Sequence, residues 1–151
     1  MKTRYPIFFL ISLGIFVFDQ FTKYFIKSHL HPFDVVAVLP FFNIVYVENA
    51  GSAFGMLKGL GNAFFVPIAV LAIAVVTFLF VRDRDNRLGF SLILGGAAGN
   101  LADRVIHGYV IDFLDLYAGK YHWPAFNVAD SALTIGIVLL LTKSILHGGR
   151  Q

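Results

Sequence analysis

Two aspartates stand out by where they fall. Asp130 lies near the start of "FNVADSALTIGIVLLLT" (126–142), a run otherwise suited to lipid, and Asp112 lies in "VIDFLD" (110–115), just outside an apolar segment. A carboxylate inside a membrane span costs about 2.5–3.5 kcal/mol on insertion scales, so its presence points to function. Other polar residues share its setting. Asn100, Asp103 and Arg104 are spaced i, i+3, i+4 and project from one side of a helix, and Asn127 and Asp130 are spaced i, i+3. Asp19 occurs late in the first apolar run. If successive runs cross in alternate directions, all these residues reach the outer half of the bilayer. At about 1.5 Å per residue, Asp130 is expected roughly 10 Å below Trp123.

Two carboxylates at one level suit acid/base chemistry. Held close in a low dielectric they share a proton, because both cannot ionise comfortably. One then serves as general base on a water while the other, protonated, polarises a carbonyl and protonates a leaving amine. Other routes find little support. The chain has no cysteine, which excludes thiolate nucleophiles, disulfides and Cys-based metal sites. There is no H-E-x-x-H, and "GSAFG" (51–55) departs from G-x-S-x-G. His29 and His31 lack an evident third ligand, so no metal and no cofactor are expected. The net charge of +3 over 151 residues is too diffuse to indicate nucleic acid and is read as topology.

These residues must be positioned by membrane segments. The chain is 58% hydrophobic and 14% charged, with mean hydropathy +0.75, far too apolar for a soluble domain of this size. Four stretches, 5–26, 62–81, 88–106 and 123–142, have the length of a crossing, about 20 residues each. No small-x-small cleavage pattern follows the first one, so it is expected to be retained. Lys2 and Arg4, then Arg82, Arg84 and Arg87, then Lys143 and Arg150 fall on one side of a four-span chain, which places both termini and the 82–87 turn in the cytoplasm. Tyr117, Tyr121 and Trp123 suit the outer interface. Residues 33–57 differ in kind: Val35–Leu39 and Phe42–Val47 are β-branched and aromatic, Pro40 interrupts them, and a turn follows at 49–52. They predict a small outer sheet resting on the membrane. Residues 107–122 are expected to be a second outer loop, with Asp115 solvated and Asp112 folding back over the polar pocket. No repeat or second domain is evident, so 1–151 is taken as one domain. The fold expected is an all-α integral membrane protein of four transmembrane helices with a small periplasmic β-sheet.

The sequence resembles the lipoprotein signal peptidases (signal peptidase II), bacterial inner-membrane aspartyl proteases, over nearly its whole length. The motifs that carry the resemblance occur in order as "DQFTK" (19–23), "NAGSAF" (49–54), "GGAAGNLADR" (95–104), "VIDF" (110–113) and "FNVAD" (126–130). One departure is Ser52, where a small apolar residue is more usual. The resemblance implies that Asp112 and Asp130 form the catalytic dyad, and that Asp19, Asn49, Gly51, Asn100, Arg104 and Asn127 bind substrate or support the site. It implies four transmembrane helices with a β-cradle. The implied partner is a prolipoprotein whose lipobox cysteine bears a diacylglyceryl group, cut just before that cysteine by a monomeric enzyme among membrane lipids.

Plainer readings stand beside these. Asp103 with Arg104, and Asp19 with Lys23, also fit interfacial ion pairs, and Asn49 also fits a turn former. A four-helix proton-coupled exporter would need one membrane acid with access from both sides; here the acids gather on one side, and the outer sheet would be superfluous. A non-catalytic assembly subunit leaves the converging polar set unexplained.

Overall fold

The computed structural model describes residues 5–51 and 61–148. Among them the chain forms α1 (Tyr5–His29), β1 (Val35–Leu39), β2 (Phe42–Asn49), α2 (Gly61–Arg82), α3 (Arg87–His107), β3 (Val110–Ala118), β4 (Tyr121–His122) and α4 (Val128–Gly148). Residues 52–57 of the expected outer β region, Ser52 included, lie outside the described residues, as do Lys2, Arg4, Lys58 and Arg150.

Three helices, α1, α2 and α4, are long and apolar enough to cross a membrane. They turn large apolar side chains outward, and α2 buries no residue at all. Such a surface is stable only against lipid. The third helix differs. At 21 residues it would span roughly 31 Å, but Arg87, Asp103, Arg104 and its glycines lower its hydropathy. It lies among the others, packed on α1, α2 and α4. That placement depends on small residues. A Cβ added at Gly96 would collide with the Ala129 carbonyl oxygen of α4, so the two backbones touch where α4 begins.

The strands form one antiparallel sheet in the order β1-β2-β3-β4. The expected strands at 35–39 and 42–47 are present. Residues 107–122 correct the expectation of a loop. Gly108, with φ 87°, ends α3 in the left-handed conformation and its N–H donates to the Arg104 carbonyl at 3.2 Å, a cap that favours glycine. The chain then turns back as β3 along β2, with Val47 opposite Asp112 and Asn49 opposite Val110. Asp112 and Asp115 mask this strand in the sequence, because aspartate is depleted from strands. Asp115 is correspondingly not solvated: it is 7% exposed, accepts from Asn43 Nδ2 at 2.9 Å and lies 2.9 Å from His122 Nδ1. Ile111 and Phe113 pack with Ile26 and Tyr46 into the core that seats the sheet on the end of α1.

The start of α4 is the second correction. The helix begins at Val128, not near 123. Residues before it run extended, and Phe126 exchanges main-chain bonds with Leu114 at 2.8 and 3.1 Å. Pro124 disfavours helix at the residue before it, and Asn127 supplies the cap. Asp130 therefore sits in the first turn of α4 rather than two turns along it.

The contact at Gly96 predicts a contrast. Gly96→Ala should displace α4 against α3, costing about 1–3 kcal/mol as overpacking does, with a lower midpoint of thermal unfolding in detergent. Gly14→Ala, where an added Cβ meets nothing within 4 Å, should leave that midpoint unchanged or slightly higher.

Candidate active site

A helix begins where its free N–H groups find acceptors. Asn127 caps α4 by accepting from the Asp130 N–H through Oδ1 at 2.8 Å, as asparagine commonly does at this position. The Ala129 N–H reaches across the bundle to Asp19 Oδ1 on α1, also at 2.8 Å. Asp19 and Asn127 are both fully buried, and the charge of Asp19 complements the positive end of the helix dipole. The first turn of α4, and with it the Asp130 carboxyl, is thereby held from two sides.

Asp112 arrives from the sheet. Alternation along β3 sends Ile111 and Phe113 into the core and turns Asp112 to the opposite face. Its Oδ1 accepts from Asn127 Nδ2 at 2.7 Å, and its Oδ2 from Asn49 Nδ2 at 2.9 Å. Asn49 in turn accepts the Gly51 N–H at 3.1 Å, so it both shapes its turn and holds the acid. On the other side, Asp130 Oδ1 accepts from Asn100 Nδ2 at 2.7 Å, and Asn127 Nδ2 lies 3.2 Å from Asn100 Oδ1. A relay of two side-chain amides thus joins Asp130 to Asp112 through Asn100 and Asn127.

Both acids line one cavity of about 710 Å³, together with Asn49, Gly51, Asn100 and Arg104. Val47, Leu116, Phe126 and Ile135 give it apolar walls. Asp19 and Asn127 stand behind the wall rather than in it, and act through what they hold. Arg104 is half-buried; its Nη1 donates to the Asn100 carbonyl at 3.3 Å, its guanidinium lies 5.3 Å from the Phe65 ring, and its charge acts on Asp130 and Asp112. Burial, followed by the charge of Asp130, pushes the Asp112 carboxyl up to about 7, against the pull of the Asn49 and Asn127 amides. A carboxyl titrating there can give or take a proton at neutral pH.

The structure brings all eight candidate residues together; sequence reasoning placed six of them at one level by spacing and depth, and took Asn49 and Gly51 from the resemblance alone. It missed how they are supported. Asp103 does not pair with Arg104; its carboxylate meets Lys23 Nζ at 2.9 Å and Gln20 Nε2 at 2.9 Å. Lys23, 1% exposed, also lies 2.8 Å from Asp19 and donates to Asn100 Oδ1 at 2.9 Å. The i, i+4 spacing predicted the Asp19–Lys23 pair, but nothing local points from Lys23 to α3. Among the described residues, no group of three or more His, Cys, Asp or Glu is arranged to hold a metal ion.

The family model described as signal peptidase (SPase) II matches residues 11–146. A lipoprotein signal peptidase of Thermodesulfovibrio yellowstonii is 49% identical over 144 residues, covering 95% of each chain. One from Alteromonas mediterranea is 43% identical over 95% of this chain and 83% of its own length. Among solved structures, a bacterial membrane enzyme determined by the in meso method at 2.3 Å superposes with a TM-score of 0.91 at 34% identity, covering 99% of this chain and 94% of that one. A second, at 1.9 Å, gives a TM-score of 0.85 at 36% identity over 94% of both chains. With its membrane helices, its small antiparallel sheet and the length of these matches, the chain belongs to the signal peptidase II family, the lipoprotein signal peptidases.

Proposed function

We propose that the chain is an aspartic endopeptidase of the bacterial inner membrane, cutting diacylglyceryl-modified prolipoproteins immediately before the lipidated cysteine, with Asp112 and Asp130 as its catalytic pair. The observation that carries this reading is the amide relay joining two acids, one from a strand and one from a helix, at the wall of one cavity. Family membership supplies the coarser statement, a membrane peptidase that removes lipoprotein signal peptides.

In the resting site the two acids hold one proton between them. The ionised carboxylate takes a proton from water as its oxygen attacks the scissile carbonyl carbon. The protonated carboxyl passes its proton to the carbonyl oxygen, and the tetrahedral diol forms with the proton now on the other acid. The C–N bond then breaks as the protonated acid gives its proton to the leaving nitrogen and the ionised one takes a proton from the diol, which gives a new carboxylic acid on the signal peptide and a free amine on the cysteine. The pair regains its starting charge and needs no metal or organic cofactor. Asn49, Gly51 and Arg104 at the cavity wall bind the peptide backbone. Asn100 and Asn127 orient the acids, and Asp19 fixes the helix that bears Asp130. The apolar walls receive the acyl chains and the signal helix.

The same reading makes α3 the fourth crossing. It is as long as a crossing and packed among three apolar spans, which cover its polar face. The basic 82–87 turn and both termini then lie in the cytoplasm, and the acids near the outer face. One copy contains the whole pair, so the working unit is a monomer.

Purified protein should cut a diacylglyceryl lipobox peptide at the single bond before the cysteine, as read by product mass, and should cut the unlipidated peptide far more slowly. Equal cleavage of both peptides, or cleavage elsewhere, would contradict the substrate assignment. A pH profile tests the shared proton. Asp112 is raised to about 7, so the proton is present below that pH and leaves above it. The value of kcat/KM should therefore fall as pH rises through about 7, and fall again in acid when the second carboxylate is protonated. A profile flat from pH 6 to 9 would contradict it.

A further inference from the structure

The main-chain groups immediately before the two acids are tied to one buried cation. The residue before Asp130 is Ala129, whose N–H donates to Asp19 Oδ1 at 2.8 Å. The residue before Asp112 is Ile111, whose N–H donates to Asp103 Oδ2 at 3.1 Å. The other oxygen of Asp19 lies 2.8 Å from Lys23 Nζ, and Asp103 Oδ2 lies 2.9 Å from the same nitrogen. An ammonium has three donors, and the third goes to Asn100 Oδ1 at 2.9 Å. With its oxygen engaged, the Asn100 amide presents Nδ2 to Asp130 at 2.7 Å.

We infer that Lys23 is the positioning residue for both acids: through Asp19 and Asp103 it fixes the backbone before each, and through Asn100 it fixes the Asp130 carboxyl. This rests on the reading of Asp112 and Asp130 as the catalytic pair. The physical reason is charge and geometry together. Asp19, Lys23 and Asp103 are each at most 2% exposed, and carboxylates so deeply buried persist as precise acceptors only if a cation is held among them. An interfacial ion pair would need neither this burial nor a third donor aimed at the site. Asp19 and Lys23 come from α1, Asp103 and Asn100 from α3, while the acids come from β3 and α4. The ammonium therefore ties α1 directly to α3, and through Asp19, Asp103 and Asn100 it reaches β3 and α4. Lys23 does not line the cavity, so it touches no substrate.

The test compares Lys23→Met, the charge-balanced pair Lys23→Met with Asp103→Asn, and Asp103→Asn alone, on the diacylated peptide. The charge-balanced variant replaces two negative charges and one positive by a single negative charge, which leaves the net charge of the triad unchanged. Misplacing reacting groups by about 1 Å costs about 10²-fold, so kcat should fall by that order while KM stays near wild type. The two limbs of the pH profile should also draw together, because acids held less closely interact less. Asp103→Asn alone keeps the Lys23–Asp19 pair, so it serves if the lysine variants do not fold, and should show the same split at smaller size. A folded variant with wild-type kcat and an unchanged profile overturns the inference, as does a rise in KM at constant kcat. Asp130→Asn in the same assay separates the two readings. If it is inactive while the Lys23 and Asp103 variants are fully active, only the positioning role fails; if it too is active, the catalytic pair itself is wrong.

Discussion

The buried ion pairs of Lys23 with Asp19 and Asp103 are the constraint around which the polar half of the molecule is arranged. In a bundle whose outer surface suits lipid, every polar group must find its partner inside the protein. One ammonium between two carboxylates meets that demand and leaves each carboxylate an oxygen or a lone pair for a backbone N–H. An apolar replacement of the triad would pack as well, and buried ion pairs are often no more stabilising than such replacements. What the charges add is direction. They hold the Ala129 N–H at the start of α4 and the Ile111 N–H near the start of β3, beside the Asn127 and Gly108 caps that set where the helices begin and end.

The same low dielectric that makes these partners obligatory also gives the acids their chemistry. Burial is the first cause of the raised Asp112 carboxyl, and the charge of Asp130 the second. Asparagines, rather than cations, are the nearest partners of both acids. Amides carry no charge to neutralise a carboxylate, which suits the proposed sharing of one proton better than an adjacent salt bridge would. Arg104 sits at the wall, near enough to act on both charges but bonded to a backbone carbonyl. Val47, Leu116, Phe126 and Ile135 line the cavity around this group with apolar walls, as the proposed lipid-bearing substrate requires.

Much of the site was legible because membrane helices reveal their polar faces. Asn100 with Arg104, and Asn127 with Asp130, read as shared faces from spacing alone, and length and hydropathy marked four crossings, of which α1, α2 and α4 are long and apolar enough to span. Residues whose partners are distant in sequence were less visible. Lys23 read only as the i+4 neighbour of Asp19, since its bond to Asp103 spans α1 to α3. β3 read as a loop because Asp112 and Asp115 interrupt its apolar pattern, although both are buried with partners from β2. The start of α4 was placed early because Trp123–Phe126 is apolar; only the bond from the Asp130 N–H to Asn127 shows where the helix begins. In each case a tertiary hydrogen bond outweighed the local pattern.

The central claim, that Asp112 and Asp130 act as one unit around a shared proton, is tested most directly by a double-mutant cycle on turnover of the diacylated peptide. Asparagine is nearly isosteric with aspartate but cannot serve as the base. Asp112→Asn and Asp130→Asn should each fold and bind substrate yet lose about 10²–10⁴-fold in kcat/KM, and the double variant should be little worse than either, because groups acting as a unit are non-additive. Losses that multiply in the double variant, or near-normal cleavage by a well-folded Asp130→Asn enzyme, would contradict the account.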